Sequence, residues 1–413
     1  MVRPPRRLSW DVVRVLAVAA VVFHHTTFQG PVLHPELGEP LYSYPMQVGA
    51  STLLVISAYF ICVTIRKGST GLWWWSRVSR LLPPYAVAVL FTFAILVLFR
   101  PAEWGQPTTR DLWANLLLTA SFDPSVSLID GSYWTLPLQL MAFTFAALLW
   151  PAGVGVGRRI KVLLWAMIVV PVILQWNDRI LHSPLWIQMA WNGLGLHRLQ
   201  LFAIGIGIWL WAQRRIGLPH LALLLVATMY AQFAHTADLH SSVGFGLLTA
   251  VVVLATRGPD WLVFTPVRRQ IQFLAKISFG VYLMNQEGGY VIAYWLMKLG
   301  VGRLGQIMGT VAAVVVLAWL LTKYVEQPAY KFLTTTGARW LARIRRPLRR
   351  RRRREILDIG YPPANTRFRV IEIGEVSDGP AEGEQPAGVR RARQPGRAAD
   401  APVRDLHVAA GPR

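Results

Sequence analysis

The sequence predicts an all-α polytopic membrane protein with about ten transmembrane helices, both termini in the cytoplasm and a disordered basic C-terminal tail. Three observations lead there. Of the 413 residues, 54% are hydrophobic and 15% charged; the apolar residues fall in long runs, more than a soluble chain of this length can bury. Basic residues recur in every second loop between those runs, the pattern by which membrane proteins fix their orientation. The formal net charge of +22 is concentrated in those loops and in RIRRPLRRRRRR at 343–354, a distribution that faces a membrane and argues against a nucleic-acid partner.

The first span is SWDVVRVLAVAAVVFHHTTF, 9–28. It is too long for a signal-peptide core and no small-residue cleavage site follows, so it reads as a retained helix. Further spans are predicted at 46–65, 81–99, 134–151, 161–176, 198–212, 218–235, 240–256, 277–297 and 304–323. Several fall a little short of the ~20 residues of a full crossing. With Arg3, Arg6 and Arg7 in the cytoplasm, the basic loops share that side. They carry Arg66, Lys67, Arg77 and Arg80, then Arg158, Arg159 and Lys161, then Arg214 and Arg215, then Arg257, Arg268, Arg269 and Lys276. The opposite loops hold only Arg100, Arg110, Arg179, Arg198, Lys298 and Arg303. A missed span would put basic loops on both sides. Two exoplasmic loops, 100–133 and 177–197, are long enough to carry structure. The membrane core therefore runs over 8–333, and 334–413 forms a cytoplasmic tail. In that tail the arginine run is expected to lie against anionic inner-leaflet lipids. Residues 361–413, rich in Gly, Pro, Ala, Arg and Glu, are expected to be disordered. The single cysteine, Cys62, excludes a disulfide framework within the chain.

Polar groups inside apolar runs usually face the bundle interior and mark function. Arg14 and His25 are eleven residues apart, about 20° beyond three turns, so they share a helix face about 16 Å apart along the axis. Asp11 falls about 60° from Arg14, and His24 points about 100° away from His25. At the mouth of span three, RVSRLLPPY (77–85) sets Arg77 and Arg80 on one face, a pair suited to phosphate. Pro83 and Pro84 are expected to break or restart that helix. At the start of span four, SYWTLPLQLMAF (132–143) offers Trp134 as a belt aromatic, with Gln139 near the depth of His25. In span nine, ISFGVYLMNQEGGY (277–290) puts Asn285, Gln286 and Glu287 near mid-bilayer. On one continuous helix Glu287 would point about 160° from Asn285. Glu326, in YVEQPAY at the end of span ten, reads most simply as a solvated boundary residue.

Taken in order, these pieces resemble the acyltransferase family 3 membrane proteins over about residues 8–333. That family opens with an Asp, an Arg and, ten residues on, a His, matched by Asp11, Arg14 and His25. Its Ser-Gly-Phe segment is matched by VISAYFI around Ser57, and its Arg-x-x-Arg with Pro and Tyr by Arg77, Arg80, Pro83 or Pro84, and Tyr85. Its Trp-Ser-Leu run ending in Glu corresponds to Trp134 through Gln139. Its Ser-Tyr-x-x-Tyr-Leu-x-His corresponds to Ser278, Phe279, Tyr282, Leu283 and Asn285, and its Glu-x-Pro to Glu326, Gln327 and Pro328. Gln139 stands where the family has Glu, and Asn285 where it has His; both changes remove a titratable group.

The resemblance implies a membrane O-acyltransferase that moves an acetyl or other short acyl group from cytoplasmic acyl-CoA to a hydroxyl of a cell-envelope glycan, glycolipid or similar acceptor. It implies no permanently bound cofactor and no metal. Arg14, Arg77 and Arg80 would hold the CoA phosphates, and His25 would serve as general base or as nucleophile. Gln139 and Asn285 would hydrogen-bond the developing oxyanion or position the sugar. Asp11, Trp134, Tyr282, Glu287 and Glu326 would support the site. The tail is too polar to be the soluble hydrolase-like domain fused to some members. High Arg, Ala, Gly and Trp content suggests a GC-rich bacterial genome, and hence a multi-pass protein of the plasma membrane. Two other classes fit the same polar stripe: a transporter or flippase of a glycan or lipid, and a catalytically impaired scaffold of the same fold.

Overall fold

The computed structural model describes residues 7–65, 69–151, 158–175 and 179–337, with no strand among them. Arg3, Arg6, Arg66, Lys67, the arginine run and the tail beyond residue 337 lie outside the described residues.

Helix α1 (Leu8–His24) passes through a π turn, His25–Gln29, into α2 (Gly30–Leu33). Then come α3 (Gly49–Ile65), α4 (Thr70–Phe99), α5 (Thr109–Leu116), α6 (Thr135–Leu149), α7 (Arg158–Gln175), α8 (Leu185–Gly193) and α9 (Leu199–Ala212). They are followed by α10 (Leu218–Thr236), α11 (Leu239–Arg257), α12 (Arg268–Met284), α13 (Glu287–Lys298) and α14 (Arg303–Leu321), the last extended by a second π turn, Thr322–Glu326. Every predicted apolar segment overlaps a described helix. Six described helices are long and apolar enough to cross a membrane, and a seventh if α8 and α9, bent by 41°, count as one broken span. α3 is apolar but shorter.

Two expectations about helix continuity are corrected. α4 runs unbroken through Pro83 and Pro84. A proline removes one backbone hydrogen bond, and a membrane helix packed among others tolerates that loss. Span nine is the reverse case: α12 ends at Met284, Gln286 takes φ −87° and ψ −92°, and α13 restarts at Glu287. The restart has a partner far away in sequence, because the Glu287 N–H donates to the Asp130 carboxylate at 3.0 Å. That bond satisfies one of the orphan donors at a helix start.

The start of α1 is held in a similar way. The Asp260 carboxylate accepts from the N–H groups of Leu8 (3.0 Å) and Ser9 (2.8 Å), and the Arg7 guanidinium donates to the carbonyls of Thr256 and Gly258. Two apolar clusters form the interior. One gathers α3, α7, α9, α10 and α11 around Leu54, Leu164, Leu201, Ile208, Leu224 and Phe245. The other gathers α4, α6, α12, α13 and α14 around Tyr85, Leu136, Leu283, Tyr290 and Val314. α1 belongs to both, giving Val13 and Ala17 to the first and Val18 and Val21 to the second. Its polar residues therefore sit between the clusters. Close packing, more than burial from water, holds helices together in lipid. At Gly205 on α9 an added Cβ would stand 2.5 Å from the Val55 carbonyl oxygen of α3.

Candidate functional site

Two cavities lie along α1. The first, about 380 Å³, is lined by Arg14, Arg77, Arg80, Lys276, Thr64, Ser57, Thr135, Gln139, Ser278 and Tyr282 among others, none of them acidic. The second, about 210 Å³, is lined by His24, His25, Gln29, Ser51, Ser132, Trp134, Arg198, Gln286 and Tyr282 among others. Tyr282 and Ala50 line both, so the cavities are neighbours with Tyr282 in the partition. The Tyr282 hydroxyl is fixed there: it donates to the Ser132 carbonyl at 2.7 Å and accepts from Thr135 at 2.9 Å.

In the basic cavity, α4 carries Arg77 and Arg80 on one face, as their spacing predicts. Arg77 Nη2 donates to Thr64 Oγ1 at 2.6 Å, and its guanidinium lies 5.6 Å from the centre of the Trp73 ring. Arg80 Nε donates to Glu326 Oε1 at 3.0 Å. The expectation of a solvated Glu326 is corrected. Its side chain is only 6% exposed while that of Arg80 is 57% exposed, because the π turn that follows α14, with helix continuing over 327–337, brings Glu326 against α4. Glu326 thereby steers a cation whose other face remains open to solvent. Four cations line this cavity and no carboxylate does, a charge distribution complementary to a polyanion.

In the histidine cavity, His25 opens the π turn of α1. The Thr26 and Thr27 hydroxyls donate to the carbonyls of Val22 (2.8 Å) and Phe23 (2.6 Å), one turn back, which supports the widened turn. His25 Nδ1 lies 2.6 Å from Asn285 Oδ1, and Asn285 Nδ2 donates to the Tyr282 carbonyl at 2.8 Å. The second bond fixes the amide, since a carbonyl only accepts. Oδ1 therefore faces the imidazole, and Nδ1 must carry the proton. Nε2 is left as the basic nitrogen, and among the described residues it has no hydrogen-bond partner. Asn285 keeps helical φ −88° and ψ −24°, so the last turn of α12 points it at His25, and the backbone departs only at Gln286. Asn285 lines neither cavity and acts through His25.

Other predicted residues fall elsewhere. Gln139 lines the basic cavity, on the far side of Tyr282 from His25. Thr135, anchored to the Tyr282 hydroxyl, sets that register, and Gln139 is one turn further along α6. Glu287 faces away from the histidine cavity and meets His34 Nε2 at 3.5 Å, with His34 stacked on Trp104 at 3.6 Å. Asp11 is buried and lines neither cavity. Trp134 is more than a belt aromatic, because the Arg198 guanidinium lies 3.9 Å from its ring centre inside the cavity.

Sequence reasoning missed several members of the site. Arg198 and Lys276 read as loop charges. His24 is on the same cavity wall as His25, its ring held by the Tyr44 carbonyl at 3.1 Å and Gln29 at 3.3 Å. Asp130 is wholly buried and ties the loop before α6 to the helix break, accepting from Ser132 N at 2.9 Å, from the Ser132 hydroxyl and from Glu287 N. Burial, and then the neighbouring Glu287 charge, push its carboxyl up to about 7 against those hydrogen bonds. The Asp130-Gly131-Ser132 turn was its only sequence signal, and that is shared by many unremarkable turns.

A family model described as an acyltransferase domain matches residues 7–323. No curated protein and no solved structure matches the chain.

Proposed function

The chain belongs to acyltransferase family 3, a multi-pass membrane acyltransferase, and from that premise we propose its donor, its acceptor and its catalytic group. The donor is acyl-CoA with an acetyl or other short acyl group, bound from the cytoplasm in the basic cavity. Arg14, Arg77 and Arg80 bind its phosphates. The pantetheine arm carries the thioester towards Tyr282 and His25. The acceptor is a hydroxyl of a cell-envelope glycan or glycolipid in the histidine cavity, on the outer side of a bacterial plasma membrane.

His25 is the general base. Nε2 takes the hydroxyl proton while the acceptor oxygen attacks the thioester carbonyl. The tetrahedral intermediate collapses, the C–S bond breaks, and the imidazolium returns the proton to the departing CoA thiolate. The products are the acyl ester and free CoA. Asn285 positions His25 and keeps the proton on Nδ1 throughout. Gln139, on the donor side of Tyr282, donates a hydrogen bond to the carbonyl oxygen as charge develops on it. Neither role needs an ionisable group, so the two departures from the family pattern are compatible with activity. The observation that carries this reading is the His25–Asn285–Tyr282 chain of hydrogen bonds beside a cavity that adjoins a four-cation receptor.

Calorimetric titration of CoA into the purified protein tests the donor site. Wild type is expected to bind CoA more tightly than CoA lacking its 3′-phosphate. Arg77→Gln and Arg80→Gln are each expected to raise Kd by about tenfold or more, the scale of a hydrogen bond to a charged group. Wild type that binds neither form would contradict the donor assignment.

A further inference from the structure

The histidine cavity contains a group that the transfer chemistry does not use. Arg198 lies over the Trp134 ring at 3.9 Å from its centre, and its Nε donates to His197 Nε2 at 3.3 Å. Those two contacts fix the guanidinium plane. Among the described residues no hydrogen bond or ion pair engages its two terminal nitrogens. None of the residues lining the cavity is Asp or Glu. The acids that flank the wall in sequence are already engaged: Asp130 by Ser132 and the Glu287 N–H, Glu287 by His34. A guanidinium taken out of bulk water without a counter-charge is unfavourable. A fixed fork of donors that faces a cavity matches a carboxylate or phosphate in two-pronged geometry. Around it, Ser132, Gln29 and Gln286 supply neutral partners of the kind that hold sugar hydroxyls.

We infer that the acceptor carries an anion, a carboxylate or phosphate close to the acylated hydroxyl, and that Arg198 is the residue that selects it. The acceptor is therefore an acidic glycan or glycolipid, one bearing a uronate or a sugar phosphate, and a neutral sugar is a poor substrate. This rests on the reading of the site as an acyltransferase with its acceptor beside His25. The same fork would hold the free carboxylate of a dicarboxylic acyl group such as succinyl, so donor and acceptor anions must be told apart.

The test uses the purified full-length protein with two tetrasaccharides of one linkage, one of glucuronic acid and one of glucose. Thermal unfolding with each sugar reads binding, and label moved from acetyl-CoA reads transfer. Wild type is expected to favour the acidic sugar at least about tenfold in apparent affinity and in kcat/KM. In Arg198→Gln the acidic-to-neutral ratio should fall close to one, and Arg198→Lys should retain part of it. The melting temperature of each variant without ligand shows that it is folded. No preference in wild type, or a preference that survives Arg198→Gln, overturns the inference. A preference for succinyl-CoA over acetyl-CoA with the neutral sugar, lost in Arg198→Gln, assigns the anion to the donor and overturns the acceptor claim. Preferential binding of the acidic sugar without transfer to either sugar leaves the Arg198 site standing and removes the acyltransferase reading. Transfer without preference does the opposite.

Discussion

His25 sits in an apolar bundle with a neutral partner, Asn285. A carboxylate beside it would be a second group to withdraw from water, at a cost of several kcal/mol. Asn285 fixes the ring and its proton without adding charge. Asn285→Leu is expected to leave Nδ1 unsatisfied and the ring free to rotate. It should lower kcat for transfer by about 10- to 100-fold, less than the loss in His25→Ala, which removes a base contributing about 10²–10⁴-fold. The CoA affinity of both variants, read by calorimetry, should stay at the wild-type value, because neither residue lines the basic cavity. At this scale the sequence was readable where cavity-lining residues share one helix. Arg14 and His25 follow from 3.6 residues per turn. The surroundings of Glu326 and Arg198, and the cavity that Gln139 lines, were not legible because they depend on partners in other helices, the Arg80 side chain, the Trp134 ring and the Tyr282 hydroxyl.

Single elements are shaped by contacts that no local pattern announces. The apolar run 277–297 looks like one helix, yet it breaks at Gln286, and a carboxylate 157 residues from Glu287 takes the N–H left free at the restart. The start of α1 depends on Asp260 in the same way. Burial pushes the Asp260 carboxyl up, but the N–H groups of Ser9 and Leu8 outweigh it and hold the carboxyl below its ordinary range. The cap is thus at full strength above the ordinary carboxylate value of about 4, and its contribution is lost as pH falls through the lower folded value. Asp260→Ala should destabilise the protein by about 1–2 kcal/mol at neutral pH, and the gap from wild type should narrow below about pH 4. Thermal unfolding between acid and neutral pH measures both. Gly205→Leu drives a side chain against the Val55 carbonyl at the α3–α9 contact. The expected loss is about 1–3 kcal/mol, seen as a lower melting temperature.

At the scale of the whole bundle, α1 is shared by two apolar clusters, and its polar face opens on a basic cavity and a histidine cavity separated by Tyr282. Fold class was legible because apolar runs long enough for a membrane have few other uses. Span count was less so. α3 is short, and the path into α9 is bent by 41°, so length alone does not assign every crossing. Basic-loop asymmetry predicts the orientation, and cysteine accessibility checks it. The single native Cys62 is buried at 3% exposure and should remain silent. A cysteine at position 125 (Ser125→Cys) should react with an impermeant maleimide in intact cells, and Ser69→Cys only after permeabilisation; the reverse pattern would invert the topology. The central claim is that His25 performs acyl transfer from CoA. Its most direct test is movement of radiolabel from acetyl-CoA into an envelope extract by purified protein in liposomes, with wild type beside His25→Ala. Label entering a lipid or glycan with wild type and not with His25→Ala is the predicted result; equal transfer by both would contradict it.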